Sequence, residues 1–279
     1  MIQCRAGANN WYQLTVDTRL PLPALGITFH HTNMQTVTTF QSAADRAAML
    51  INSRCNNLYL AMSGGLDSEF VAEVLYRNKI SFTPIIAVLP DNIECHYAMH
   101  WCAVHNLTPV IINIEPNDPH LVRQFLLIAK TLNQATGLSN LMPYLSEYVS
   151  GQNGQLLVGD SPLGGPTDNY YQESGDIFDI VWYSFIIELM QPGMHPGAFF
   201  QYTPELMLAQ ATSLNTKLSE CAGKAVLYQI PFRPKTRNHR CPLDGAMINK
   251  LSTFANVSES SRFPDIRWHK EELIQLLLR

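Results

Sequence analysis

The stretch Leu58-Tyr59-Leu60-Ala61-Met62-Ser63-Gly64-Gly65-Leu66-Asp67-Ser68 decides how this chain folds. Its apolar first half predicts a buried strand, and the two glycines predict a tight turn after it. A helix is predicted from about Asp67, because apolar residues follow at helical spacing. These residues are Phe70, Val71, Val74 and Leu75. Backbone N–H groups at a glycine turn and in the first turn of a helix lack carbonyl partners, so the stretch predicts an anion site.

Three side chains in this turn carry the expected chemistry. Ser63 and Ser68 add hydroxyl donors to the backbone N–H groups. Asp67 has the wrong charge for holding a phosphate, so we expect it to hold a Mg²⁺ that does. No Gly-Lys-Ser/Thr follows the glycines, which excludes a Walker A loop.

The flanking sequence repeats strands and helices in alternation. Further strands are predicted at 82–89, 108–114 and 155–160. Helices are predicted at 42–52, 91–104, 121–132 and 143–149, with a capping box at Asp91–Glu94 and an N-cap at Asp118. This alternation predicts an α/β fold, a Rossmann-like parallel sheet with helices on both faces, whose ligands bind at the carboxyl ends of the strands.

The two ends of the chain differ from this middle part. Residues 1–41 predict a short β-rich N-terminal segment, with strands at Trp11–Val16 and Gly26–His30, and residues 42–279 form the main domain. Helical C-terminal additions are predicted after Thr203 and at Glu271–Arg279. The second of these helices can pack on the core or on a second subunit. The apolar segment Ile177–Met190 predicts a core helix.

The bulk composition favours a globular enzyme in the cytoplasm. The 279 residues are 46% hydrophobic and 15% charged, and the net charge of −4 gives no general reason to expect nucleic acid as a partner. No secretory signal or membrane span is visible. The six cysteines form no Cys-x-x-Cys pair, so reduced thiols are expected.

The segment Ser63-Gly64-Gly65-Leu66-Asp67-Ser68 resembles the Ser-Gly-Gly-x-Asp-Ser loop of the N-type ATP pyrophosphatases, the PP-loop superfamily. Members have an adenine nucleotide alpha hydrolase-like fold, cleave ATP between the α- and β-phosphates and adenylate a substrate oxygen. The resemblance is closest to the synthetase domain of asparagine and β-lactam synthetases. Residue 2 is isoleucine and the N-terminal segment is short, so no glutaminase half is expected, and the nitrogen donor would be ammonia or a substrate amine.

A second motif follows the strand predicted at 155–160. Gly159 and Asp160 resemble the start of the Gly-Glu-Gly-x-Asp-Glu motif of the asparagine synthetase branch. The resemblance implies that Gly159 lies against the nucleotide and that Asp160 activates the amine. A later aspartate binds Mg²⁺ in that family. Because a Pro/Gly insertion separates Asp160 from Asp168, either aspartate could be the second metal ligand, and a Gly/Pro surface loop is the alternative.

The third motif lies in a basic, proline-containing stretch. Arg233-Pro234-Lys235 resembles the late Arg-x-Lys segment of the same synthetases. The resemblance implies that Lys235 contacts the polyphosphate and stabilises the oxyanion of amide formation. A basic surface loop and a nucleic-acid contact are the alternatives. The resemblance also implies that the backbone near Ala61 and Val88, at two strand ends, holds the adenine base. The cofactor-binding residues that it implies are therefore Ala61, Ser63, Gly64, Gly65, Leu66, Asp67, Ser68, Val88, Gly159 and Arg233.

Three functions are compatible with these motifs. The leading one is an ATP-dependent, AMP-forming ligase that adenylates a carboxylate and forms an amide, with ATP and Mg²⁺ as cofactors. Its partners would be a small-molecule carboxylate and an amine or ammonia. No membrane partner is expected, and the sequence does not decide whether the chain forms a homodimer. The second is a PP-loop enzyme that modifies tRNA, DNA or a deazapurine. The third is a nucleotide-binding protein without catalysis.

Overall fold

The computed structural model describes residues 2–17, 24–30, 34, 39–89, 92–115, 117–132, 134–135, 141–161, 163–164, 177–179, 196–215, 218–233, 245–255, 258–259 and 267–278. The strands are β1 (Ile2–Ala6), β2 (Tyr12–Asp17), β3 (Ala24–Phe29), β4 (Leu58–Ala61), β5 (Thr83–Val88), β6 (Val110–Asn113), β7 (Gln134–Ala135), β8 (Gln155–Val158), β9 (Leu163–Gly164), β10 (Ile177–Asp179), β11 (Gly197–Ala198), β12 (Ser258–Glu259) and β13 (Arg267–His269). The α-helices are α1 (Phe40–Asn52), α2 (Leu66–Arg77), α3 (Cys95–Val104), α4 (Pro119–Leu132), α5 (Leu141–Gly151), α6 (Pro204–Ser213), α7 (Glu220–Tyr228), α8 (Gly245–Ala255) and α9 (Lys270–Leu277).

A five-stranded sheet of order β11-β8-β4-β5-β6 forms the centre of the fold. Every neighbouring pair in it is parallel, and Leu60 of the middle strand β4 pairs with Leu157 on one side and with Pro84 on the other. Side chains alternate along β4. Leu60 packs in the core with α1, α2 and α3, whereas Ala61 packs on the opposite face with α5. The α/β prediction with helices on both faces is confirmed.

The N-terminal strands form a separate antiparallel sheet of order β1-β2-β3. Leu14 of β2, together with Trp11 directly before that strand, packs against Met207 of α6 and Leu273 of α9. The β-rich character of the segment is confirmed, and it includes the strand β1, which sequence reasoning did not predict. The division of the chain at residue 41 stays a prediction.

Several helix starts follow from capping side chains. The hydroxyl of Thr39 accepts a hydrogen bond from the N–H of Ser42, and the hydroxyl of Thr203 accepts one from Leu206. The carboxylate of Asp118 accepts a hydrogen bond from the N–H of His120, so the predicted cap of α4 is present. These caps explain why the starts of α1, α4 and α6 lie close to their predicted positions.

Two predictions about local structure differ from the structure. The helix predicted from Asp91 begins at Cys95, and the N-cap residue Glu94 supplies no side-chain cap; Asp91 itself lies outside the described residues. Ile177–Asp179 is a strand that pairs with β13, so the predicted core helix from Ile177 is wrong at its start. A short apolar run fits a buried helix and a buried strand equally well, so periodicity alone does not distinguish them. No helix in the described part of the chain is long and apolar enough to cross a bilayer.

Candidate functional site

The turn after β4 is held by its own hydroxyl groups. The hydroxyl of Ser68 donates to the carbonyl of Gly65 (3.1 Å), and the N–H of Gly65 donates to the hydroxyl of Ser63 (3.2 Å). The N–H of Ser63 donates to the hydroxyl of Ser68 (3.3 Å). Ser68 is buried and Ser63 is exposed. Ser68 therefore fixes the turn from inside, and Ser63 is the serine that is exposed at the turn.

Gly64 occupies a backbone position that other residues rarely adopt. Its φ is +85°, and a Cβ atom placed on it would lie 1.8 Å from the carbonyl oxygen of Glu94. The turn therefore packs directly on the backbone before α3. Gly65 is the N-cap of α2 and supplies no side-chain cap, so the first N–H groups of that helix depend on a partner from outside the helix.

Gly159 closes the turn from the neighbouring strand. A Cβ atom on Gly159 would lie 2.7 Å from the Cα atom of Ser68 and 3.0 Å from its nitrogen. The end of β8 thus packs on the first turn of α2, which gives this glycine a packing role. Asp160 follows it, half-buried, at the same cavity. The two predicted motifs therefore meet at one edge of the sheet, as expected for parallel strands.

A cavity of about 240 Å³ opens in front of this turn. Its polar lining residues include Ser63, Asp67, Asp160, Lys224 and Arg233. Its apolar lining residues come from β4, β5 and β8 and from the start of α5; they include Ala61, Ile85, Ala87, Leu89, Leu141, Met142, Leu145 and Val158. All of these apolar residues except Leu89 pack in one cluster. A lining of both kinds suits a ligand with a charged part and an apolar part.

Helix α7 supplies two partners of Asp67. The ammonium of Lys224 donates to Oδ2 of Asp67 (2.8 Å), and the hydroxyl of Tyr228 donates to Oδ1 (2.7 Å). The Lys224 side chain is 6% exposed and the Asp67 side chain 23%. Burial raises the pKa of Tyr228 well above its ordinary value, and the Asp67 carboxylate raises it further. Tyr228 therefore acts as a neutral hydrogen-bond donor to Asp67.

The hydroxyl of Tyr228 also links the two motifs. The amide of Gln210, which is fully buried, donates to Tyr228 (3.2 Å) and to the hydroxyl of Ser161 (2.9 Å). Asp67 in the first motif and Ser161 just after the second are therefore joined by hydrogen bonds through α6 and α7. A network of this kind fixes side chains more firmly than isolated pairs do.

Asp67 was predicted to hold Mg²⁺, and its surroundings test that fit. Both carboxylate oxygens have donors within hydrogen-bond distance, and one donor is a buried ammonium. Among the described residues, no group of three or more His, Cys, Asp or Glu side chains could hold a metal ion. As folded, these residues fit an ion pair at Asp67 and do not fit a divalent cation. Asp168, one candidate for the second metal ligand, lies outside the described residues.

Arg233 enters the same cavity from the chain after α7. Its guanidinium forms an ion pair with the carboxylate of Glu69 and lies 4.8 Å above the ring of Tyr97. Burial raises the pKa of the Glu69 carboxyl, although the Arg233 guanidinium acts in the opposite direction. The predicted cofactor-binding Arg233 therefore lies at the site, where Glu69 holds it against the start of α2.

The pH dependence of stability tests whether the pKa of the Glu69 carboxyl is raised in the folded chain. An acid whose pKa is higher in the folded chain stabilises the fold most below its unfolded pKa, and this contribution is lost as the pH rises through the folded pKa. The free energy of unfolding of the wild type, minus that of Glu69→Gln, should therefore fall as the pH rises from about 4.3 upward. Urea unfolding at several pH values measures this difference. Glu271→Gln, at an exposed glutamate, is the matched control, and a difference that rises with pH would contradict the prediction.

Most predicted site residues meet at this cavity. Its lining contains Ala61, Ser63, Gly64, Gly65, Leu66, Asp67, Ser68, Gly159, Asp160 and Arg233. Val88 does not belong to the lining, although Ala87 and Leu89 do. Successive side chains of a strand point to opposite faces, and the carbonyl of Val88 accepts a hydrogen bond from the N–H of Ile114. Lys235 lies outside the described residues.

Sequence reasoning missed the contribution of α7. Cys221, Lys224 and Tyr228 lie at intervals of three and four residues, which places them on one face of a helix. Ser219 caps that helix by accepting a hydrogen bond from Ala222. A serine cap followed by this spacing is the signal that would have predicted the helix, although not its position beside Asp67.

Comparisons with known proteins found solved structures that are similar to part of the chain. No family model and no curated protein matches the chain. Similar solved structures include NMN synthetase from Francisella tularensis (14% identity, 45% of this chain and 56% of that chain, TM-score 0.34). Another is NH3-dependent NAD synthetase from Campylobacter jejuni (15% identity, 78% of this chain and 94% of that chain, TM-score 0.33). A third is a predicted subunit of tRNA methyltransferase from Methanocaldococcus jannaschii (12% identity, 62% of this chain and 87% of that chain, TM-score 0.34).

The chain thus spans 56% of the length of the NMN synthetase that it resembles. Because the identities and TM-scores are this low, the similarities carry no argument about its activity. The closeness to asparagine synthetase stays a prediction from the three motifs. The function proposed below therefore depends on the motifs and on the geometry of the site.

Proposed function

We propose that this chain is an ATP-dependent, AMP-forming ligase that adenylates a small-molecule carboxylate and forms an amide bond. One observation supports it most: the Ser-Gly-Gly turn and the uncapped start of α2 open into a cavity that contains a buried lysine. Backbone N–H groups at a helix start attract anions, and Lys224 and Arg233, each paired with a carboxylate, place N–H donors beside them. The β- and γ-phosphates of ATP, which leave as pyrophosphate, would bind at this turn.

Amide formation from a carboxylate at neutral pH needs a better leaving group than hydroxide, and adenylation provides one, because AMP leaves instead. In this proposal the apolar lining residues near Ala61 and Ala87 contact the adenosine or the acceptor. Asp160 also belongs to the lining, and its carboxylate would accept a proton from an attacking amine. Magnesium would bind together with ATP, as the ion that ATP carries in solution, and Asp67 would not be its ligand. The role of Lys235 stays a prediction.

The Asp67→Ala variant tests the proposal at the centre of the site. Removal of this carboxylate leaves the buried Lys224 without its ion-pair partner and breaks the hydrogen bond from Tyr228. We expect the rate of pyrophosphate release to fall by about 100-fold or more, as when a preorganised electrostatic contact is lost. A pyrophosphate-release screen across carboxylates and amines, followed by nucleotide chromatography, measures this. Glu272→Ala, which removes an exposed acid from the first turn of α9, is the matched control.

The products distinguish this proposal from its alternatives. AMP and pyrophosphate from wild-type protein support the ligase, and ADP would show that the mechanism is wrong. ATP binding without pyrophosphate release with any carboxylate would favour a nucleotide-binding protein without catalysis. RNA that stays bound during purification, together with AMP formation on RNA, would favour a base-modifying enzyme.

A further inference from the structure

Gln210 is a polar residue on the apolar face of α6. Leu206 and Met207, one helical turn before it, are buried in the core, and Gln210 is itself fully buried. It does not reach the lining of the cavity. Burying an amide costs free energy unless hydrogen bonds replace those that it makes to water, so the partners of this side chain indicate what it does.

The amide nitrogen of Gln210 donates to two hydroxyl groups at the site. One belongs to Tyr228 (3.2 Å) and the other to Ser161 (2.9 Å), and these two hydroxyls are also hydrogen-bonded to each other. Tyr228 holds Asp67 in the glycine turn. Ser161 lines the cavity directly after Asp160. One buried amide is therefore a donor to both motifs.

Asp67 fixes the direction of these hydrogen bonds. Its carboxylate is paired with Lys224 and can only accept, so the hydroxyl hydrogen of Tyr228 points to Asp67. The oxygen of Tyr228 then has to accept from Gln210, and only the nitrogen end of the amide can supply that hydrogen. With the amide reversed, its carbonyl oxygen would face Tyr228 and compete with Asp67 for the same hydrogen.

The carbonyl end of the Gln210 amide gains nothing from this arrangement. Its Oε1 atom is buried and has no hydrogen-bond partner within the described part of the chain. An unpartnered buried carbonyl oxygen lowers stability, and an apolar side chain of the same length would avoid that cost. The amide is therefore a poor choice for filling the core and a good one for holding two hydroxyl groups.

We propose that Gln210 is a positioning residue for the reaction. Through Tyr228 it fixes the carboxylate of Asp67 at the glycine turn. Through Ser161 it fixes the chain at Asp160, after the end of β8. The placement of the two lining carboxylates relative to each other thus depends on an amide that touches no substrate. The inference rests on the proposed function and adds to it the residue that holds its two motifs in register.

The variant Gln210→Met keeps the length of the side chain and removes the amide. We expect kcat for pyrophosphate release to fall at least about tenfold, because small misplacements of reacting groups slow chemistry strongly. The KM for ATP should change by less than about threefold, since the N–H groups of the turn remain. Steady-state kinetics with the carboxylate and amine that react fastest measures both. Gln124→Met, which removes a buried amide on α4 that donates to Glu147, is the matched control and should keep wild-type kinetics.

A double-mutant cycle with Tyr228→Phe separates positioning from packing. Phenylalanine keeps the ring that stacks on Phe70 and loses the hydroxyl. If Gln210 acts through that hydroxyl, Gln210→Met should lower kcat much less in the Tyr228→Phe background than in the wild type. Additive losses in the double variant would overturn the proposal, as would wild-type kcat in folded Gln210→Met.

A second variant, Gln210→Glu, covers the case in which Gln210→Met does not fold, and urea unfolding shows whether each variant is folded. Glutamate has the shape of glutamine, but it donates no hydrogen when ionised and one when neutral. It therefore loses at least one of the two bonds in either state, and kcat should fall. Wild-type kcat in folded Gln210→Glu would contradict the inference.

The Tyr228 hydroxyl also gives a readout that needs no turnover. In protein with isotopically labelled tyrosine Cζ atoms, the NMR resonance that Tyr228→Phe removes belongs to Tyr228. It should shift in Gln210→Met and stay in place in Gln124→Met. If the wild type forms no AMP, the ligase is wrong, and this shift would still support the direction of Tyr228 by Gln210. AMP formation with neither the shift nor the loss of kcat would leave the ligase intact and overturn the inference.

Discussion

Replacement of Gly64 by alanine is expected to abolish ATP binding. The new Cβ would lie 1.8 Å from the carbonyl oxygen of Glu94 and 2.6 Å from its carbon, and both are backbone atoms that cannot rotate away. The φ of +85° adds about 1–2 kcal/mol for a residue with a Cβ. The turn or the start of α3 must therefore move, and the N–H groups that face the cavity would move with it.

Calorimetric titration with ATP measures the binding, and urea unfolding shows whether the variant is folded. Gly151→Ala is the matched control, because nothing lies within 4 Å of its added Cβ at the exposed end of α5. We expect the control to bind ATP normally and to keep or slightly raise the free energy of unfolding, by up to about 1 kcal/mol. Normal ATP binding by Gly64→Ala would show that the turn does not hold the nucleotide.

Replacement of Phe70 by alanine should lower the free energy of unfolding by about 3–5 kcal/mol. Phe70 is fully buried on α2, and its ring stacks on those of Tyr228 (4.5 Å between centroids), Phe40 (5.2 Å) and Phe200 (5.8 Å). Its removal leaves a cavity that these rings cannot fill without leaving their positions. Because Tyr228 holds Asp67, the loss should extend to the site.

Equilibrium urea unfolding measures the effect of Phe70→Ala. Phe254→Ala removes the same ring from α8 at a position that is 74% exposed, and should change the free energy of unfolding by less than about 0.5 kcal/mol. A loss below about 1 kcal/mol for Phe70→Ala would contradict the packing of this cluster. Weaker ATP binding in a still-folded Phe70→Ala protein would support the link through Tyr228.

Local patterns predicted the sheet well. The apolar runs that form β4, β5, β6 and β8 are short, rich in aliphatic side chains and followed by turn residues. Each strand could therefore be predicted from its own residues, without the rest of the chain. Alternation with amphipathic helices then required a parallel sheet. The predictions failed in two kinds of place. The apolar run at Ile177 fits both a helix and a strand, and the helix α7 and the strand β1 were not predicted from their local patterns.

The sequence by itself determined that a glycine turn would join a buried strand to a helix start, and that Asp67 would stand at that start, because these relations lie within a few residues. The tertiary structure alone decided what Asp67 meets. Lys224 and Tyr228 lie 157 and 161 positions further along the chain, and Arg233 lies 164 positions beyond Glu69. Periodicity carries no information over such separations. Which buried charges pair depends on how helices pack across the sheet, and burial makes those pairings obligatory.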